Sequence, residues 1–161
     1  MAARLFVSNP NASFMFLPPG DASTVEHNRA LVKALKTRSA FTYKDYVNRR
    51  GLFESPLLSL IIKQVYFNDG LKSEGLSFFG ATHEIPFTVI ALVFAAVLCA
   101  IDEWQSGKHK PKSVSFHTAT YAKPYNDILT SLKGWEAYCH DTRKEPDVPA
   151  NFRRDLFKQG R

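Results

Sequence analysis

Apolar positions recur at helical spacing through most of this chain, and the longest such run sits in its middle. Between Ile85 and Gly107 the residues Phe87, Ile90, Phe94, Val97, Ile101 and Trp104 form one i, i+3, i+4 stripe. Val89, Leu92, Ala96 and Ala100 cover the opposite side. A helix that is apolar all round belongs in the middle of a bundle or in a bilayer. Pro86 suits a first helical position, where an amide proton is not needed, and Gly107 suits the left-handed residue that stops a helix. The apolar stretch from Phe87 to Ile101 falls short of the ~18–20 residues a span requires, and it ends in Asp102 and Glu103. The pattern therefore predicts a buried central helix over about 86–106 and no membrane segment.

Shorter periodic runs flank it. Ser23 and Glu26 have the capping-box spacing, and Asn28, Leu31, Val32 and Leu35 continue from them to about Lys36, with Arg29, Lys33 and Lys36 on the outer face. Phe41, Tyr43, Tyr46 and Val47 form an aromatic connector closed by Arg49-Arg50-Gly51. Ser55-Pro56 opens another helix, whose stripe is Leu57, Leu58, Ile61, Ile62, Val65 and Tyr66, with Asn68-Asp69-Gly70 as its stop. Residues 71–84 read as a loop. Pro124 opens a helix with Tyr125, Ile128, Leu132 and Trp135 facing inward, ending near Tyr138.

At the ends the period is lost. Residues 1–22, with turn signals at Asn9-Pro10 and Pro18-Pro19-Gly20, read as an extended arm laid on the body. Residues 141–161 read as a polar tail in which Pro149–Phe157 forms one short helix carrying Phe152 and Leu156. No stretch alternates with period two long enough to be a strand. The expected architecture is all-α, a single-domain bundle of four or five helices over 23–140 with an arm and a tail.

Several motifs together resemble a known family. Gly51-Leu52-Phe53-x-Ser55-Pro56 leads into a helix ending at Tyr66-Phe67. Ile85-Pro86-Phe87-x-x-Ile90-Ala91-Leu92-Val93, then Ala100-Ile101-Asp102-Glu103-Trp104-x-x-Gly107, then Phe116, Tyr121 and Tyr125 follow in order. Over roughly residues 38–138 this resembles a domain of unknown function widespread in mushroom-forming fungi, usually placed near the C-terminal end of longer proteins with polar, disordered leaders. The resemblance implies a fold, since its recurrent positions are stripe residues, caps and the Glu103-Trp104-Gly107 helix end. It implies no activity. The chain departs from the family's pattern in lacking a long leader and in its basic tail.

Charge adds a functional lead. The net charge is +6, but residues 1–50 carry +5, residues 51–105 carry −4 and residues 106–161 carry +5. Basic flanks around a neutral-to-acidic core suit an acidic partner, nucleic acid or an acidic protein, although ordinary solvated faces give the same count. The clusters are Arg49-Arg50, the Lys108-His109-Lys110-Pro111-Lys112 loop, Arg143-Lys144, and Arg153-Arg154 with Lys158 and Arg161. Tyr43, Tyr46, Phe116 and Phe152 lie near them and could stack on bases if exposed.

Catalytic chemistry finds little support. His27, His83, His109, His117 and His140 make no metal-ligand spacing, the chain's two cysteines, Cys99 and Cys139, are 40 positions apart, and no phosphate-cradling loop occurs. No cofactor is expected. Two cysteines are too few for a disulfide scaffold, which fits reduced thiols and an intracellular, nuclear or cytoplasmic, protein. Cys139-His140-Asp141 are adjacent along a helix and point apart. A remaining enzyme reading places Glu103, His117 and Cys139 in one cleft. Asp102 and Glu103 sit at a helix C-terminus, where the macrodipole disfavours negative charge, so an ion pair is expected there, for instance with Arg49 or Arg50. The apolar arm and stripes also admit a homodimer.

Overall fold

The computed structural model describes residues 2–7, 14–18, 20–68 and 73–161, apart from the side chain of Leu5. Seven α-helices account for the fold among these residues: α1 (Ala2–Val7), α2 (Ala22–Lys36), α3 (Pro56–Tyr66), α4 (Glu74–Phe79), α5 (Phe87–Asp102), α6 (Thr118–Tyr138) and α7 (Asp147–Gly160). A 3₁₀ segment, Thr37–Thr42, follows α2, and a π-helical turn, Cys139–Arg143, follows α6. The one β-type pairing described is an isolated bridge between Asp45 and Arg50. The fold is all-α. The turn signal at Asn9-Pro10, Pro19, and the Asp69-Gly70 helix stop lie outside the described residues.

α5 is the axis. Ile90, Phe94, Ala95, Cys99, Ala100 and Ile101 are fully buried, and the helix packs on α6, α1, α3 and α2. It is not covered all round: Leu92 is 42% exposed and Thr88 faces solvent. Pro86 is the cap residue rather than the first helical one, its carbonyl accepting from the amides of Val89 and Ile90. At the far end the amides of Trp104 and Gln105 turn back to Ile101 and Asp102, satisfying carbonyls that a bare helix end would leave open. Gly107 closes this turn at φ +81, donating to the Trp104 carbonyl at 2.7 Å. No helix among the described residues is long and apolar enough to cross a membrane.

Both flanks belong to the body. The expected extended arm is helical over Ala2–Val7, and α1 packs against α3 and α5 with Ala3 and Val7 buried. Phe14 and Phe16 are buried as well. In the expected polar tail, the short helix read over Pro149–Phe157 is part of a 14-residue helix, α7, docked on α3. The Phe157 ring meets Phe67 edge-on at 5.6 Å, and Phe152 meets Trp135 at 5.5 Å. A short segment with few apolar residues shows no period of its own, yet it becomes helical when a neighbour covers its one apolar face.

Other boundaries move for local reasons. Asp21, not Ser23, caps α2: its carboxylate accepts from the Thr24 amide at 3.0 Å, and a charged acceptor is favoured at the positive end of a helix. Residues 74–79 of the expected loop form α4. α6 begins at Thr118 with Pro124 inside it, because the buried Tyr121 anchors a first turn ahead of the proline. Asn28, fully buried on α2, donates to the carbonyls of Leu17 and Gly107 and accepts from the Leu17 amide, so one side chain ties α2 to the N-terminal segment and to the end of the central turn.

Two glycines test this account. A Cβ at Gly107 would lie 2.3 Å from the Val25 carbonyl oxygen, at a positive φ, so Gly107→Ala is expected to lower unfolding free energy by about 3 kcal/mol. Gly134, inside α6, has nothing within 4 Å of such a Cβ, so Gly134→Ala is expected to raise it by roughly 0.5–1 kcal/mol. Urea unfolding of the two variants measures both signs. Equal effects would mean that the helix stop at Gly107 is not a tight fit.

Candidate functional site

The chemistry of this chain converges where α5 ends. Glu103 caps the helix with its side chain wholly buried. Oε1 accepts from Arg4 Nε at 2.6 Å and from the Lys112 amide at 2.8 Å, while Oε2 lies 3.3 Å from His109 Nε2. Arg4 also donates to the Val114 carbonyl at 2.9 Å. Asp102, half-buried, pairs with Lys36 Nζ at 2.6 Å and accepts from the Tyr121 hydroxyl at 2.8 Å. Both acids at the negative end of the helix are thus met by cations, as the dipole argument requires.

The partners differ from those expected. Arg49 donates to the Thr37 carbonyl and Arg50 pairs through its backbone with Asp45, so neither reaches α5. The cation for Glu103 comes from α1, 99 positions earlier, a segment too short to show helical periodicity. Burial, and then the bond to Asp102, hold the Tyr121 phenol well above its ordinary range; burial also raises the neighbouring Cys99 thiol.

The same carboxylate shapes the basic loop. Besides the Lys112 amide, the Glu103 main-chain carbonyl accepts from the Lys110 amide at 3.1 Å. The His109 ring stacks on Trp104 at 4.8 Å, and Phe16 also stacks on that indole at 4.5 Å. Lys112 is held at φ +61. The loop backbone is fastened while the side chains of Lys108, Lys110 and Lys112 remain exposed. Lys108 shares a shallow groove with Arg29 and Lys33 of α2, where Asp21 and Glu26 are the opposing charges. Arg29 is drawn toward the loop by its bond to the Ser106 carbonyl at 3.0 Å.

The remaining basic residues are placed elsewhere. Arg153 pairs with Glu84 at 3.0 Å, donates to the Ile85 carbonyl at 3.1 Å and lies over the Phe87 ring. Arg154 pairs with Glu84 at 3.2 Å. These two fasten α7 to the start of α5. Among the aromatics, Tyr46 packs edge-on against Phe14, and Phe152 against Trp135; Phe116 is partly exposed beside Tyr121.

His117 and Cys139 do not meet. They cap opposite ends of α6, whose 21 residues put them about 33 Å apart at 1.5 Å per residue. Cys139 is also fully buried. Separated by the length of α6, they do not form one site with Glu103. No group of three or more His, Cys, Asp or Glu among the described residues could hold a metal ion. Sequence reasoning missed Arg4, Lys36, Tyr121 and the role of His109. The only signal for them was the acid pair itself, which demanded counter-charges without saying from where.

Residues 8–135 match the family described as Domain of unknown function (DUF6532), and the chain belongs to that family. The match starts at residue 8, ahead of α2, rather than at the first recognisable motif. No curated protein and no solved structure matches the chain.

Removing Arg4 leaves Glu103 buried without its main counter-charge. Arg4→Met is expected to cost about 3 kcal/mol, and adding Glu103→Gln is expected to recover part of it, since the uncharged amide carries no desolvated charge. Chemical denaturation of the four-member cycle reads the coupling, and strictly additive effects would dismiss the pair as a stabilising unit. The second expectation concerns alkali. The folded chain keeps the Tyr121 proton while the unfolded chain releases it above about pH 10, so stability falls as pH rises through that range. In Tyr121→Phe this part of the decline disappears, giving a flatter stability curve above about pH 10. An unchanged slope would contradict the buried phenol.

Proposed function

We propose that this chain is a non-enzymatic helical interaction module that engages an acidic partner, nucleic acid foremost, through the 107–112 loop and the adjoining face of α2. The observation that carries this reading is the fastening of the loop backbone to Glu103. Lys108, Lys110 and Lys112 stand exposed on this fastened turn, and Lys108 shares its groove with Arg29 and Lys33. A cationic surface that is already ordered loses less conformational entropy on binding a polyanion than a mobile one. Arg49, Arg153 and Arg154, bonded within the fold, are left out of the surface. The motifs suit a fungal protein, and the reduced thiols an intracellular one.

Self-association is the second reading, favoured by the exposure of Leu92 and Phe116 on one side of the α5–α6 pair.

Fluorescence anisotropy with labelled single- and double-stranded DNA and RNA at two salt concentrations tests the first reading. Micromolar binding is expected, weakening steeply with salt as counterions are released. The triple variant Lys33→Glu/Lys108→Glu/Lys110→Glu should lose at least about tenfold in affinity, while Lys133→Glu on α6 should lose little. Absence of binding even at low salt rejects nucleic acid. Light scattering on the same samples then shows whether the mass rises with concentration, as self-association requires.

A further inference from the structure

We propose that a second region, the cavity beneath residues 38–53, is a binding site for a small apolar monocarboxylic acid. The cavity measures about 500 Å³, within the size range of small-molecule sites. Its apolar lining comes from Phe41, Leu52 and Phe53 of the connector, Leu98 of α5 and Ile128 of α6. Leu52, one of the lining residues, is 39% exposed.

Three polar groups at the cavity are committed within the fold. Thr42 Oγ1 donates to the Ser39 carbonyl, Ser131 Oγ to the Asp127 carbonyl, and the Asp127 carboxylate pairs with Lys123 Nζ at 2.6 Å. Arg38 alone lines the cavity with a charge that has no hydrogen bond or ion pair to any described residue. A guanidinium presents a planar fork that fits a carboxylate bidentately. One cation beside apolar side chains, with the Asp127 carboxylate also in the lining, suits a monoanion better than a doubly charged phosphate.

The backbone supports the assignment. Arg38 and Ser39 are consecutive left-handed residues, at φ 50 and 54, and Phe53 has φ 63. L side chains avoid this conformation, and such strain gathers at ligand clamps and other functional sites. Here it occurs at Arg38, Ser39 and Phe53, all three in the cavity lining. Gly51, at φ +69, supplies the same geometry without strain and brings Leu52 and Phe53 into place. The Gly51-Leu52-Phe53 motif thus has a role that the basic groove does not explain, and this inference is independent of that reading.

The test is a ¹H–¹⁵N NMR titration of the full chain with 1-naphthoate, decanoate and the neutral isostere 1-naphthamide, each to millimolar concentration. At least one acid should bind saturably, with shifts confined to residues 38–53, Leu98 and 124–131. Naphthoate should bind about tenfold more tightly than naphthamide, reflecting a charge-assisted contact. Arg38→Gln should reduce naphthoate to the level of naphthamide and leave naphthamide unchanged, whereas Ser131→Trp, which fills the chamber from an exposed position on α6, should abolish both. Binding by no acid, shifts elsewhere, equal affinity for acid and amide, or indifference to Arg38→Gln would each overturn the proposal.

Discussion

The structure turns on one buried carboxylate. Taking Glu103 out of water costs several kcal/mol unless its oxygens are met by charge and by hydrogen bonds. They are met from three directions: by Arg4 from α1, by His109, and by the Lys112 amide. Each partner is thereby constrained in turn. α1 must lie against α5 for Arg4 to reach, the loop must fold back for Lys112 to donate, and His109 must lie flat on Trp104. The charge that is hardest to accommodate is the one that specifies how the N-terminal helix, the central helix and the basic loop come together.

Net charge along the chain is a poor guide to where a charged surface forms. The C-terminal flank, residues 106–161, uses its excess charge in two different ways. On α7, Arg153 and Arg154 close on Glu84, and the Arg153 guanidinium also covers Phe87, so these cations stabilise the junction of α7 with α5. In the 107–112 loop the backbone, not the side chains, makes the internal bonds, and the lysines are left outward. The distinction between a cation that holds the fold and one that is displayed depends on whether an acid from a remote element reaches it. Charge counts contain no such information.

What was legible in the sequence follows from the range of the interaction concerned. The stripe from Phe87 to Trp104, the Ser55-Pro56 helix start and the Gly107 stop all depend on neighbours within a turn or two, and all are in place. The buried stripe of α6 was readable too, though its start was not, since Tyr121 anchors a turn that the proline pattern conceals. α1 and α7 were not legible as docked helices because their stability comes from α3 and α5. The acid pair was readable as an electrostatic demand, and its partners were not, because Arg4 lies 99 positions away. Nor did any pattern mark residues 38 and 39 as left-handed: neither is glycine, and their conformation is imposed by the packing of the connector over α5 and α6.

The span of the family match sharpens the point about Glu103. Residues 8–135 include the acid, its loop and the Trp104–His109 stack, but not Arg4. Within that span the described groups that meet the carboxylate are the Lys112 amide and the His109 ring, and a single backbone amide does not balance a fully buried charge. Arg4 supplies a permanent cation from outside that span. The carboxylate oxygen that accepts from its Nε is the one that accepts from the Lys112 amide, the bond that fastens the loop. The short N-terminal helix therefore provides the counter-charge of the centre on which the displayed loop depends.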